Sequence, residues 1–286
     1  MRYDPIYEVG ESSATPGRVF TASIGDEQVI PKDKYLDHII LGVKGAVATA
    51  AVAIETFAGV LSQYTFKVGA ETRIQMSLRQ LVAFMAFWYN KLPLIWENTD
   101  ATGNDFIFGV KIPIQETVDL ARPISHSATR TAQTNFSVET LSRYGAYLKD
   151  NKGRKAIHAV AIPYTTAGAT GLTNLGVKIP PIGKLVGLIL QNASVFADGV
   201  IAESIQHVQI IEDGIVTNYL AGHASEGVGP VKTVGVLDPI DDLLKVFRAW
   251  DFRDEPIDLK GKTVEIKVDV QAVSEATFII PIILKD

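Results

Sequence analysis

The chain has 286 residues, 47% of them hydrophobic and 21% charged, with a formal net charge of −5. That composition supports one or two packed cores and excludes a disordered polymer. The acidic balance excludes an electrostatic nucleic-acid binder, which needs a basic face, and the lack of any cysteine removes disulfides, thiolate metal sites and thiol nucleophiles together.

The length suits two domains of about 130–140 residues. Residues 1–17 read as an N-terminal arm, 18–150 as a first domain, and 151–286 as a linker with a second. In the arm, MRYDPIYEVGESSATPG, Pro5 and Pro16 prevent regular helix, and Tyr3, Ile6, Tyr7 and Val9 are the apolar handles. Such a segment reads equally as a docking element for a neighbour or as a frayed terminus. It has no apolar stretch of the kind a signal peptide needs.

From Arg18 onward the pattern is mostly strand. Val19–Ile24 is followed by a Gly25-Asp26 turn; then come Leu36–Val43, Thr65–Val68, Thr72–Met76, Phe106–Ile114 and Asn135–Leu141. These runs are short, rich in Ile, Val, Phe and Thr, and punctuated by Gly, Asn, Asp and Pro, which predicts a sandwich or barrel. One helix interrupts them: Ser77 caps Leu78–Lys91, whose apolar positions cover a very wide face. A helix of that kind is buried on more than one side. Its aromatic residues Phe84, Phe87, Trp88 and Tyr89 read as packing, because no polar groups converge with them. Ala46–Leu61 and Leu81–Trp96 are the most apolar stretches, but Glu55 breaks one, and Asn90, Lys91 and Pro93 break the other. Neither reaches the ~20 apolar residues of a membrane span, so both read as core of a soluble protein.

The second half repeats the order of the first. Ile157–Pro163 takes the part of Arg18–Ile24, and Leu185–Ala193 (LVGLILQNA) that of His38–Ala46 (HIILGVKGA). Gln206–Leu220 matches Tyr64–Leu78, each a strand, a tight turn and a strand, with turns at Gly69-Ala70-Glu71 and Glu212-Asp213-Gly214. Asp238 and Pro239 then predict a helix start leading into Ile240–Trp250. Thr263–Val270 and Thr277–Leu284 close the chain as strands. Ile-Pro pairs end at Pro31, Pro113, Pro163, Pro180 and Pro281; proline cannot donate to a ladder, so these mark edges, bulges or strand ends.

The residues that carry chemistry do not converge. His38, His126, His158, His207 and His223 are scattered without metal-ligand spacing, and His38, His158 and His207 read as surface or interface residues. No nucleophile elbow, phosphate loop or dinucleotide fingerprint is present. Gly222–Gly229 (GHASEGVG) and Lys149–Lys155 (KDNKGRK) read as loops. Asp241 and Asp242 suit a helix start. Asp251, Asp254 and Glu255 alternate with Arg253 in a charged turn, and Trp88 and Trp250 fall in the helices. No catalytic, cofactor-binding or metal-binding residue is assigned, and the chain does not read as an enzyme.

The duplicated HIILGVKGA and LVGLILQNA strands, the hairpins after them, and the segments LRQLVAFMAFWYNK and IDDLLKVFRAW resemble the double jelly-roll major capsid proteins of tailless icosahedral viruses with an internal membrane. The resemblance covers Arg18 to Leu284 and rests on architecture. It implies a mainly β chain of two tandem eight-stranded jelly-roll barrels with short accessory helices. It further implies a pseudo-hexagonal homotrimer tiling an icosahedral capsid, with a location in the virion after synthesis in the host cytoplasm. Partners would be the chain itself and minor capsid or vertex proteins, with the arm near a membrane or the next capsomer, and no sequence-specific nucleic-acid contact. Asp119–Thr134 and Thr217–Leu237 would be outer loops of moderate length. The alternative is a tandem β-sandwich that binds carbohydrate or a receptor, which requires exposed aromatics among Asn and Asp at loop tips. A glycosidase would require two carboxylates about 5–10 Å apart in a cleft.

Overall fold

The segments rich in Ile, Val, Phe and Thr form β-strands in the computed structural model. It describes residues 2–7, 19–24, 35–47, 59–91, 94–97, 105–117, 124–131, 136–148, 155–166, 168–191, 205–220, 231–232, 247–271, 273–274 and 276–285. The chain divides into two units, Met1–Ile157 and His158–Asp286.

The first unit runs β1 (Arg2–Tyr7), β2 (Val19–Ile24), β3 (Tyr35–Val47), β4 (Leu61–Val68), β5 (Glu71–Met76), α1 (Leu78–Tyr89), β6 (Leu94–Glu97), β7 (Asp105–Thr117), β8 (Ile124–Arg130) and β9 (Phe136–Leu148). Its strands pair in the order β1-β9-β3-β7, with β6 outside β7, and in the order β2-β8-β4-β5. The second unit runs β10 (Ile157–Val160), β11 (Ile162–Thr165), β12 (Gly171–Asn174), β13 (Gly183–Gln191), β14 (Ile205–Glu212), β15 (Ile215–Leu220), β16 (Val231–Lys232), β17 (Phe247–Asp251), β18 (Ile257–Asp258), β19 (Val264–Val270) and β20 (Ala276–Lys285). Both β10 and β11 lie along β20, which continues to β13, β17 and β16, while β12-β19-β14-β15 forms the other sheet.

Numbered within each unit, the principal strands are first to eighth: β1, β2, β3, β4, β5, β7, β8, β9 in one, and β10/β11, β12, β13, β14, β15, β17, β19, β20 in the other. In both units one sheet reads first-eighth-third-sixth and the other second-seventh-fourth-fifth. That is the Greek-key order of a jelly roll. Each unit also adds a short strand outside its sixth, β6 or β16. The duplication expected from the order of elements is therefore present at the level of strand pairing.

Period-2 patterning fills the cores. Ile39, Leu41 and Val43 of β3 pair with Ile112, Val110 and Phe108 of β7, and all six are buried. In the second unit Leu188, Leu190, Val208, Ile210, Trp250 and Val268 form part of one buried cluster. Ser77 caps α1 as expected: its hydroxyl accepts from Gln80 N, while Gln80 Oε1 accepts from Ser77 N. The helix stops at Tyr89 because Asn90 turns left-handed (φ 53°), two residues before the expected end at Lys91. Leu78 and the run Gln80–Phe87 are buried, and α1 contacts β7, β4 and β5, so its wide apolar face has partners within the unit.

Two Ile-Pro pairs sit beside bulges. Pro113 lies opposite His38, and between them and the Leu36–Glu116 pair the register shifts, with Gln115 at φ 53°. Pro281 pairs with Leu188, close to the extra residue Val186 between Leu185 and Gly187.

Several expectations are corrected. Arg2–Tyr7, placed in an arm, is a strand paired with β9 and is the first strand of the first unit. The counterpart of Ile157–Pro163 is thus β1 and not β2; that of β2 is β12, a segment read as connection. Phe247–Trp250, assigned to the end of a helix, is β17, paired with β13 through Leu188–Trp250 and Gln191–Phe247. Its β-prone Phe and Trp are claimed by the sheet core, which overrides a helical pattern; residues 238–246 lie outside the described residues. Asp119–Thr134 contains strand β8, hidden because its Ser, His and Thr residues weaken the apolar alternation. Thr217–Leu220 belongs to β15.

Candidate functional site

The histidines occupy separate sites. His38 is fully buried, with Nδ1 2.8 Å from Asp37 Oδ2 and its ring edge-on to Tyr89. Tyr89, at the end of α1, meets β3 at this point. Lys111, opposite Ile40, lies 4.2 Å from the centre of the Tyr89 ring. Burial lowers the pKa of Lys111; Asp37 opposes that shift and Lys91 adds to it. His126 is buried on β8 and shares a 2.6 Å hydrogen bond with the Tyr64 hydroxyl, beside Phe66. His158 is buried as well, since Ile157, His158 and Ala159 of β10 are all enclosed. His38 and His158, read as surface or interface residues, are thus buried within the chain. His207 is partly exposed and pairs with Asp269 at 3.1 Å; His223 lies outside the described residues. Among the described residues no three His, Asp or Glu side chains gather as a metal site, and no helix is long and apolar enough to cross a membrane.

The other polar groups are structural in geometry. Arg73 on β5 is buried and reaches Glu116 on β7 at 3.1 Å and Glu71 at 3.0 Å, so it ties the two sheets of the first unit together. Arg253 holds Asp251 through Nε at 2.8 Å and NH2 at 2.6 Å, a bidentate closure of the charged turn that raises the arginine's pKa further. Trp250 is fully buried and Trp88 partly buried. Asp241, Asp242 and residues 222–229 fall outside the described residues.

What the described surface does offer is apolar. Its exposed large hydrophobics are Leu172, Ile215, Val216, Val273 and Phe278, all in the second unit. Ile215 (72% exposed) and Val216 (51%) follow directly on the β14–β15 turn. Asp213 (φ 49°) and Gly214 (φ 85°) give that turn two left-handed residues, the arrangement of a two-residue type I′ hairpin. Next to it lies an open groove of about 540 Å³ lined by both apolar and charged side chains, among them Val177, Ile179, Ile266, Lys178, Lys262 and Glu265. Sequence reasoning located the turn but not the exposure of the residues after it, since an Ile-Val pair reads as core.

No protein-family model and no curated protein matches the chain. Solved structures do. The STIV major capsid protein, 12% identical, aligns over 97% of this chain and 96% of its own with a TM-score of 0.68; the virus is the Sulfolobus turreted icosahedral virus. The chain has the double jelly-roll fold. The major capsid protein P2 of bacteriophage PM2, 10% identical, aligns over 100% and 97% of the two chains with a TM-score of 0.64. A chain of the PBCV-1 virus capsid, 9% identical, aligns over 99% and 94% with a TM-score of 0.58. At such identities the likeness is one of fold, and it extends over both units.

Proposed function

We propose that this chain is a viral major capsid protein that acts in the virion as a mechanical building block, without catalysis. The observation that carries this reading is the full-length likeness to capsid proteins, in which both jelly rolls are matched in tandem. Three copies of a chain with two alike units place six alike units around a threefold axis, which suits a pseudo-hexagonal capsomer and an icosahedral tiling. The chemistry supports the same reading, because buried polar pairs such as Arg73–Glu116 and Tyr64–His126 join strands to one another. Minor capsid or vertex proteins and an internal membrane are the further partners of this reading. Sedimentation of the purified chain tests it: a homotrimer is expected, and a strictly monomeric protein at high concentration contradicts it.

A further inference from the structure

We infer that the β14–β15 hairpin tip of one copy docks into the adjacent groove of a second copy, reciprocally, about a twofold axis. The inference deepens the assembly reading and rests on it, because it names a contact between capsomers rather than within one.

The tip is held rigidly in its exposed position. Asp213 N donates to Thr263 O at 3.0 Å, Thr263 N donates to Asp213 Oδ1 at 3.0 Å, and Lys262 Nζ donates to Glu212 Oε2 at 2.7 Å. The projection of Ile215 and Val216 is therefore built into the hairpin. Among the described residues β15 is also an edge strand, and its sequence IVTNYL contains neither proline nor charge. Natural edges exposed to water carry such guards; one without them is suited to a covered position.

The geometry selects the occupant. Lys262 and Val264, which line the groove, flank Thr263, the residue bonded to the tip. Ile215 pairs with Glu212, which pairs in turn with Val264, so tip and groove sit two strand spacings apart, about 10 Å. A projection and a recess side by side on one end of one unit are both filled when an identical copy faces them in reverse. That is an isologous contact, whereas a ring needs its two halves on different sides of the subunit. Charge agrees on balance: exposed Asp213 leads the tip, while the groove carries Lys178 and Lys262 against the single acid Glu265, which stands 3.7 Å from Lys267. In the facing pair each Asp213 meets the partner copy's lysine.

The test uses the full chain by sedimentation velocity over a concentration series. Wild type is expected to form trimers and then larger species. Ile215→Asp is expected to remain trimeric and to raise the dissociation constant for the larger species about tenfold or more. Asp213→Asn, which keeps the turn, and Lys178→Met are each expected to weaken it, with the double variant no weaker than the weaker single. Unchanged larger species in Ile215→Asp overturn the inference while leaving the assembly reading intact; a monomeric wild type removes both. An Ile215→Asp protein that falls to monomer assigns the tip to the trimer contact and overturns the twofold. Ile215-dependent flotation with phosphatidylglycerol vesicles, with sedimentation unaltered, makes the tip a membrane contact and overturns it as well.

Discussion

The fourth and fifth strands form a hairpin in both units, yet the two hairpins serve opposite ends. In β4–β5 the register shifts between the Phe66–Ile74 and Lys67–Thr72 pairs, so Arg73 is an extra residue on β5. The bulge re-aims its side chain into the interior, where it meets Glu116 of the other sheet. Ile74 and Met76 are buried beside it, and Ser77 starts α1 at once. In β14–β15 the register is unbroken from His207–Leu220 to Glu212–Ile215, and the residues after the turn stay exposed. The same topological position is thus a cross-tie in one unit and, among the described residues, an edge strand in the other. Both units keep the strand order, while the first hairpin carries an inserted residue and leads at once into α1.

The comparison breaks most sharply at Arg73. Arg73→Met removes the guanidinium from a buried carboxylate and is expected to cost about 3–5 kcal/mol in urea unfolding. A loss below about 1 kcal/mol, the scale of an exposed ion pair, would show that the cross-tie does not hold the first hairpin. Tyr64→Phe deletes the buried bond to His126 on the neighbouring strand, with an expected cost of about 1–3 kcal/mol by the same measurement. Ser77→Ala removes the cap that turns the first hairpin into α1; about 1 kcal/mol of stability is expected to go, with Ser77→Thr retaining most of it. In the second hairpin Ile215→Asp is expected to leave stability within about 0.5 kcal/mol of wild type, because the side chain is already in water. A cost of several kcal/mol there would mean that Ile215 is a core residue, and the contrast between the hairpins would collapse.

Much of the fold was legible because its signals are local. The β-prone run LDHIILGV, the alternation in TVEIKVDV, the Ser77 cap and the Asp213-Gly214 turn each specify their own geometry. Elements were lost where tertiary context decides. The Asp4 and Pro5 of β1 argue against a strand until β9 offers an edge, and FRAW reads as helix until β13 claims it. His38 reads as a surface or interface residue until the ring of Tyr89, at the end of α1, packs against it. The apolar tip and the groove beside it were invisible for a related reason: sequence patterns mark Ile and Val as buried, and only the folded chain shows which of them are exposed.

The most direct test of the central claim is the mass of the purified full chain by sedimentation equilibrium. A trimer, three times the 31.0 kDa chain, is the predicted result, with larger species at higher concentration that are weakened about tenfold or more in Ile215→Asp. A single 31.0 kDa species at every concentration would contradict it.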